Sequence, residues 1–563
     1  MRRQRRGLKL LALILGLSLV AAACGGDDDD EGAEGSDTQE EVPQGGDLVL
    51  GAEQEPECAD WMGSCGGSSW GFWTMGANTM PRAFDIVQEG DQWVYTPSPL
   101  LEGEPELVTD PEMVTTYTIS EDAVWSDETP ISCADFVYTW DQVANGEEIY
   151  DRTGFRNIGS VECPDGDDGK TVVVTYATPF AGWKGIFGGQ FGIFPAHILE
   201  GQDRNAAMVD GYDWSGGPWI IDEWTRGEQI VLTPNENYWG TVPTLDSVTF
   251  RFITDSSAEF EAFTGGEVLG IFPQPQLDTV DAVAAGIDGA TVDVQAQSPN
   301  LEALWLNNAA PPFDSQAVRQ AFAYSLDRDA IVERLFGGLD VTEAMQSFNA
   351  PILGDFGDPE AFAVYEQDLD MVDELMEGDG WAKGADGIWA KGGQRASASF
   401  KTTAGNARRE LTQDIVIEQA AAAGFELAVD NQEAGDLFGT QLPEGSYQVA
   451  LYAQVLTSLD PSVCPLFCSE NIPSEANQFA GQNWTRTNIP EADPFLQETD
   501  TNAVEDERSD AMAEADALLA EDATSIPLDP LPNILVLSDQ VVGEVINNPI
   551  FGPWFNMEGW GLS

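Results

Sequence analysis

Apolar and polar positions change period along the chain, and each change marks an element. Residues 47–53 (Asp47-Leu48-Val49-Leu50-Gly51-Ala52-Glu53) alternate after a glycine pair, which predicts a short strand with one buried face. Residues 115–120 alternate in the same way. After a turn through 125–130, Phe136, Val137 and Trp140 recur at helical spacing behind Ser132, a residue type that caps free helix amides. Residues 171–175 predict a further strand. Segments 215–221, 234–240 and 245–251 read as a β-meander, with Pro and Gly at the turns and aromatic side chains for the core.

The clearest helical pattern spans residues 311–338. Pro311-Pro312 excludes a preceding helix, and Asp314 or Ser315 can cap a new one. Val318, Ala321, Phe322, Ser325 and Leu326 then fall on one face. A second short helix follows, with Asp327 or Asp329 at its cap. Ile331, Val332, Leu335 and Phe336 point inward, and Gly337-Gly338 is its stop. Farther on, residues 402–410 lead into a helix that ends at Gly424.

Composition sets the scale. A chain of 563 residues exceeds what one core supports, so two or three domains are expected. Seventeen Trp and 27 Phe supply ample apolar surface for folding. Asp and Glu total 97 against 24 Lys and Arg, a net charge of −73, which repels nucleic acid and anionic lipid and excludes both as partners. Two origins of the acidity stay open. One is a solvated, aggregation-resistant surface; the other is a salty medium whose counterions screen the repulsion.

Arg2 to Arg6 precede an apolar run over 8–20 that is too short to span a bilayer, and residues 1–23 are predicted to be a lipoprotein signal peptide. Val20-Ala21-Ala22-Ala23-Cys24-Gly25-Gly26 resembles a bacterial lipobox with Cys24 as the lipidated residue. An Ala-x-Ala cleavage site beside an incidental cysteine is the plainer alternative. Losing residues 1–23 removes five basic residues and no acid, which takes the charge from −73 to −78. Residues 24–45 read as an acidic flexible tether reaching roughly 25 Å. The six other cysteines, Cys58, Cys65, Cys133, Cys163, Cys464 and Cys468, suit disulfides in an exported chain. Proximity suggests Cys58–Cys65, Cys133–Cys163 and Cys464–Cys468. A zinc site is disfavoured, because there is one histidine and no C-x2-C pair.

The pattern Pro-Phe-x-x-x-x-Val-Arg-Gln-Ala-x-x-x-x-x-Asp-Arg-x-x-Ile-Val over 312–332 resembles the signature of extracellular solute-binding proteins of the oligopeptide, dipeptide and nickel class. So do Gly217-Pro218-Trp219, Asn235-Glu236-Asn237-Tyr238-Trp239 and Trp125-Ser126-Asp127-Glu128-Thr129-Pro130, where Glu128 replaces the family's usual Gly. Leu269 likewise stands where the family carries an Asp. The resemblance implies an α/β, two-lobed periplasmic-binding-protein-like fold (type II, cluster C) with an extra small domain inserted in the first lobe. Lobe I would comprise 46–72, 209–304 and 533–563, the inserted domain II 73–208, and lobe II 305–532, with a hinge strand at 303–308 and a return crossing at 525–528.

The same resemblance implies a receptor that captures a peptide by hinge closure and delivers it to ABC permease subunits driven by a separate ATPase. It implies a monomer without cofactor or resident metal, held in the cell envelope on the outer face of the plasma membrane or in the periplasm. Ligand-facing candidates are Glu53, Trp70, Trp73, Asn307, Gln454, Thr457 and Asp460. For Trp70 and Trp73 a disulfide-pinned lid packed on its own aromatics is an equal reading. Peptide-binding relatives hold the α-amine with an Asp, and alignment on Asp460-Pro461 puts Thr457 there and Gln454 at a usual Trp; a short slip would let Asp460 serve. An oligosaccharide or a metal chelate is the nearer alternative ligand.

An anchored extracellular glycoside hydrolase is the alternative of another class. G-x-S-x-G and H-E-x-x-H are absent, and a histidine triad could use His197 alone, whose plainer role is packing. With 97 acids, a carboxylate pair carries no information. No P-loop occurs, so ATP is not bound by this chain.

Overall fold

The computed structural model describes residues 42–563, apart from 64–68, 91, 148, 150–151, 297, 457, 461–462, 478 and 480. The predicted signal peptide, Cys24, most of the tether, Cys65 and Thr457 therefore lie outside the described residues. No described helix is long and apolar enough to cross a membrane.

The strand Asp47–Ala52 forms as its alternation predicts, with Leu48, Leu50 and Ala52 turned into the core. It pairs in parallel with Ser247–Phe252 and with the short strand Gly270–Ile271. The meander Trp219–Thr225, Gln229–Pro234 and Ser247–Phe252 extends one side antiparallel. Asn533–Ser538 and Ala290–Gln295 extend the other, giving seven strands.

A second sheet of five strands has the order Glu426–Val429, Ser397–Lys401, Val449–Val455, Asn300–Leu306, Ile526–Pro530. Leu301–Leu306 and Val449–Tyr452 of its two central strands are buried, mostly with apolar side chains, in one core with the helices Gln316–Tyr324, Arg328–Phe336, Ala407–Ala423 and Glu505–Asp522. Asp327 caps the second helix of the 311–338 hairpin, accepting from Ala330 N–H at 3.0 Å. Ser315 occupies the cap position of the first but donates instead to Asp379, at 3.0 Å. A four-stranded sheet with Glu106–Val108, Val114–Thr118, Thr171–Tyr176 and Ile158–Glu162 lies inside the 73–208 stretch, beside the helix Cys133–Asn145. Cys133 is bonded to Cys163 and Cys464 to Cys468, and Cys58 is also disulfide-bonded.

The family-like motifs turn out to be fasteners. Asn235 donates to the Gly217 carbonyl at 2.8 Å, tying the Gly-Pro-Trp turn to the Asn-x-x-Tyr-Trp turn. Arg319 binds the Phe313 carbonyl and both the carbonyl and carboxylate of Asp522, closing the end of the Glu505–Asp522 helix. Arg328 binds the carbonyls of Met345, Pro527 and Phe362. Glu128 takes φ +69°, so the turn keeps the left-handed backbone that suits glycine. His197 sits partly exposed with Nε2 3.0 Å from Asp127.

The chain passes between the two large sheets twice, from Gln295 to Asn300 and from Pro530 to Asn533. Gln295 stands opposite Asn533 before the crossing and Leu301 opposite Pro530 after it, so the two passages run side by side as one antiparallel ribbon. The boundary expected at 304/305 falls inside Asn300–Leu306, all of which lies in the second sheet. The return crossing expected at 525–528 is likewise part of the strand Ile526–Pro530, and the step follows it. One apolar core joins the seven-stranded sheet to the inserted four-stranded sheet, while the five-stranded sheet and its helices have a core of their own. There are thus two jaws, which touch where Ala350 and Ile352 of the second are buried among the residues of the first core.

Candidate ligand-binding cleft

The strand Val449–Val455 leaves the second core and runs into a loop that faces the inserted domain. Tyr95, on the strand Gln92–Pro97, reaches across: its hydroxyl lies 2.8 Å from Ser458 Oγ and accepts from Leu459 N–H at 3.3 Å. Ala181 N–H donates to the Asp500 carbonyl at 2.9 Å, a second link between the jaws. Burial pushes the Tyr95 hydroxyl well up from its ordinary range, and the nearby Asp460 charge adds to this, so it stays protonated.

Between these links is a cavity of about 260 Å³. Phe180, Gly182 and Phe191 line it from the inserted domain; Leu301, Phe348 and Asn349 line it from the opposite jaw, with Gln454 and Asp460. Asp460 is paired with Arg508, Nη2 to Oδ1 at 2.6 Å, and the Arg508 side chain is 6% exposed. Beyond Leu353 and Asp460 lies a second cavity of about 370 Å³, lined by Tyr95, Trp183, Lys184, Glu505 and Arg508. Lys184 there also pairs with Glu104, at 2.9 Å.

Of the described candidates from sequence, Gln454 and Asp460 meet in the first cavity, and Glu53, Trp70, Trp73 and Asn307 do not line it. Asn307 is 2% exposed, its amide donating to the Gly445 and Tyr447 carbonyls while its oxygen accepts from Ala309 N–H. It therefore fastens a turn and does not face ligand. Trp70 is buried edge-on to Trp73, and Trp73 packs edge-on to Phe272. Gly552 (φ +85°) lets the C-terminal segment pass over Trp73, since a Cβ there would come within 2.2 Å of the indole. Both tryptophans pack on aromatic neighbours, and neither lines the first cavity.

Glu53 follows the first strand, near Glu259, and accepts from Gln274 N–H at 3.3 Å. Burial and the Asp278 charge push its carboxyl up to about 7 despite that bond. Burial, with Glu53 adding to it, pushes Glu259 to about 9. Glu259 is fully buried, and neither carboxyl oxygen has a hydrogen-bond partner among the described residues.

A family model described as bacterial extracellular solute-binding proteins, family 5 (middle), matches residues 96–470. The chain belongs to that family. As a family-5 protein it is a solute-binding receptor with an α/β, two-lobed periplasmic-binding-protein-like fold. The oligopeptide-binding protein OppA of Mycobacterium tuberculosis (strain H37Rv) is 24% identical over 480 residues, covering 82% of this chain and 76% of its own. Among solved structures, the periplasmic EDTA-binding protein EppA superposes with a TM-score of 0.81 at 23% identity, covering 93% of this chain and 97% of that one. The oligopeptide-binding protein AppA from Bacillus subtilis, in complex with a nonapeptide, gives 0.74 at 21% identity, covering 93% and 100%.

Sequence reasoning about this family-5 receptor missed Tyr95, Phe180, Phe191, Phe348, Asn349 and Arg508. Phe180 and Phe191 flank a glycine-rich, aperiodic stretch (Gly182, Gly185, Gly188, Gly189), and aromatics in such a stretch were the one available signal. Arg508 is 48 residues from Asp460, on a helix that reads as an ordinary solvated one.

Proposed function

We propose that this receptor is the membrane-tethered component of an ABC importer, held on the outer face of the plasma membrane through Cys24. It captures peptides by hinge closure and hands them to permease subunits driven by a separate ATPase. The observation that carries the reading is the cavity between the two jaws, joined by a double crossing and bridged at its rim by Tyr95 and Ala181. Flexing the crossing separates the rim contacts and draws Ala350 and Ile352 away from the first core, so a ligand that fills the cavity favours the closed state by its own contacts. Kinship with OppA supports a peptide as the cargo. An anionic chelate, suggested by the name of EppA, would need a cation facing the first cavity, and the described residues lining it include no Lys or Arg.

Titration calorimetry and small-angle scattering with di- to pentapeptides test the reading. Saturable binding with a fall in the radius of gyration is expected. Binding without compaction would remove the hinge, and turnover of the peptide would remove the receptor. Cys24→Ala is expected to release the protein from membranes into the soluble fraction.

A further inference from the structure

We infer that the 260 Å³ cavity takes an electrically neutral, amide-bearing ligand about the size of a dipeptide, without a free ammonium or carboxylate seated in it. The inference rests on the reading of this cavity as the ligand site.

Among the described lining residues Asp460 is the one ionisable side chain, and Arg508 already matches it at 2.6 Å. An ammonium ion placed against Asp460 would stand beside the guanidinium, so attraction and repulsion oppose each other and the lost hydration goes uncompensated. A carboxylate placed against Arg508 meets Asp460 in the same way. A group carrying partial charges has no such difficulty, and the walls are suited to one.

Asn349 is 6% exposed, and its Nδ2 is fixed by the Phe356 carbonyl at 3.2 Å and Asp516 at 2.9 Å. Those two acceptors settle which way the amide points and hold the side chain as a fixed part of the wall, with its Oδ1 buried. Gln454 adds an amide that can both donate and accept, and Phe180, Phe191, Phe348 and Leu301 supply apolar walls. At about 260 Å³ the space is slightly below the roughly 300–1,000 Å³ usual for small-molecule sites, which limits the ligand to a compact one.

The test is calorimetry on the full-length protein with three matched probes: the zwitterion Ala-Phe, its N-acetyl amide, and the cyclic dipeptide of the same residues. The amide and the cyclic form are expected to bind at least tenfold more tightly than the zwitterion. Equal or tighter binding of the zwitterion would overturn the inference and leave the peptide reading standing. If no probe binds and no longer peptide does either, both fall. Arg508→Gln unmasks the Asp460 carboxylate and is expected to raise affinity for the free-amine amide Ala-Phe-NH2 at least tenfold over wild type. An unchanged preference in a variant with a normal melting profile would count against the inference. Should that variant not fold, the three wild-type titrations decide it alone.

Discussion

Replacing Tyr95 by Phe removes one hydroxyl and nothing else, and that hydroxyl joins the inserted domain to the loop after Val449–Val455. Two hydrogen bonds go with it, to Ser458 Oγ at 2.8 Å and from Leu459 N–H at 3.3 Å. The ring remains packed edge-on to Phe84, whose centroid is 6.1 Å away. Each bond contributes about 0.5–1.5 kcal/mol net, so the closed state loses about 1–3 kcal/mol. In the open state water replaces both partners, and nothing is lost there. The closed-to-open ratio then falls roughly 5- to 150-fold, and apparent ligand affinity falls with it, because binding draws on the closed fraction. Titration calorimetry with a bound dipeptide amide measures the change, and urea unfolding without ligand supplies the control. Weaker binding with an unchanged unfolding midpoint is the expected pair. A lower midpoint with unchanged affinity would show that Tyr95 belongs to a rigid body, and the hinge argument would fail at its rim.

Three further outcomes follow from other sites. The Glu259 carboxyl titrates near 9 in the fold against an ordinary 4.5, so between those values the native state holds the extra proton and stability falls as pH rises. The fall approaches about 1.4 kcal/mol per pH unit, so Glu259→Gln should melt higher than wild type by a margin that widens from pH 5 to pH 8; a constant margin would contradict the burial argument. Glu128→Gly relieves a left-handed residue at an exposed turn and should stabilise by about 0.5–1 kcal/mol in urea unfolding, with loss of stability as the contrary result. Arg408 is buried against Glu302, with Asp529 3.9 Å away, and Arg408→Met should lower unfolding free energy by about 3–5 kcal/mol. A loss under about 1 kcal/mol would mean that Arg409 alone carries the pair.

The fold was legible wherever local pattern and burial coincide. Alternation located Asp47–Ala52, and the cap and apolar spacing located Arg328–Phe336, because in both the buried face is fixed by neighbours in sequence. Asn307 shows where this stops. The end of a strand looks open in sequence, yet the Gly445–Tyr447 turn, about 140 residues away, covers it and uses its amide. The crossings were misplaced by a few residues for a related reason, since apolar strands read alike on either side of a step between sheets. The pairing of Asp460 was illegible altogether. Asp460 reads as a free acid among many, and a single long-range contact with Arg508 changes its meaning.

The claim that two jaws close on ligand is tested most directly by distance measurement across the cleft. Val108 in the inserted domain and Val364 in the opposite jaw are exposed, at 42% and 59%, so spin labels at Val108→Cys and Val364→Cys perturb neither core. Pulsed dipolar spectroscopy should give a broad or two-peaked distribution without ligand that narrows to its shorter component at saturation. A single distribution, unchanged while calorimetry shows the site full, would contradict the account.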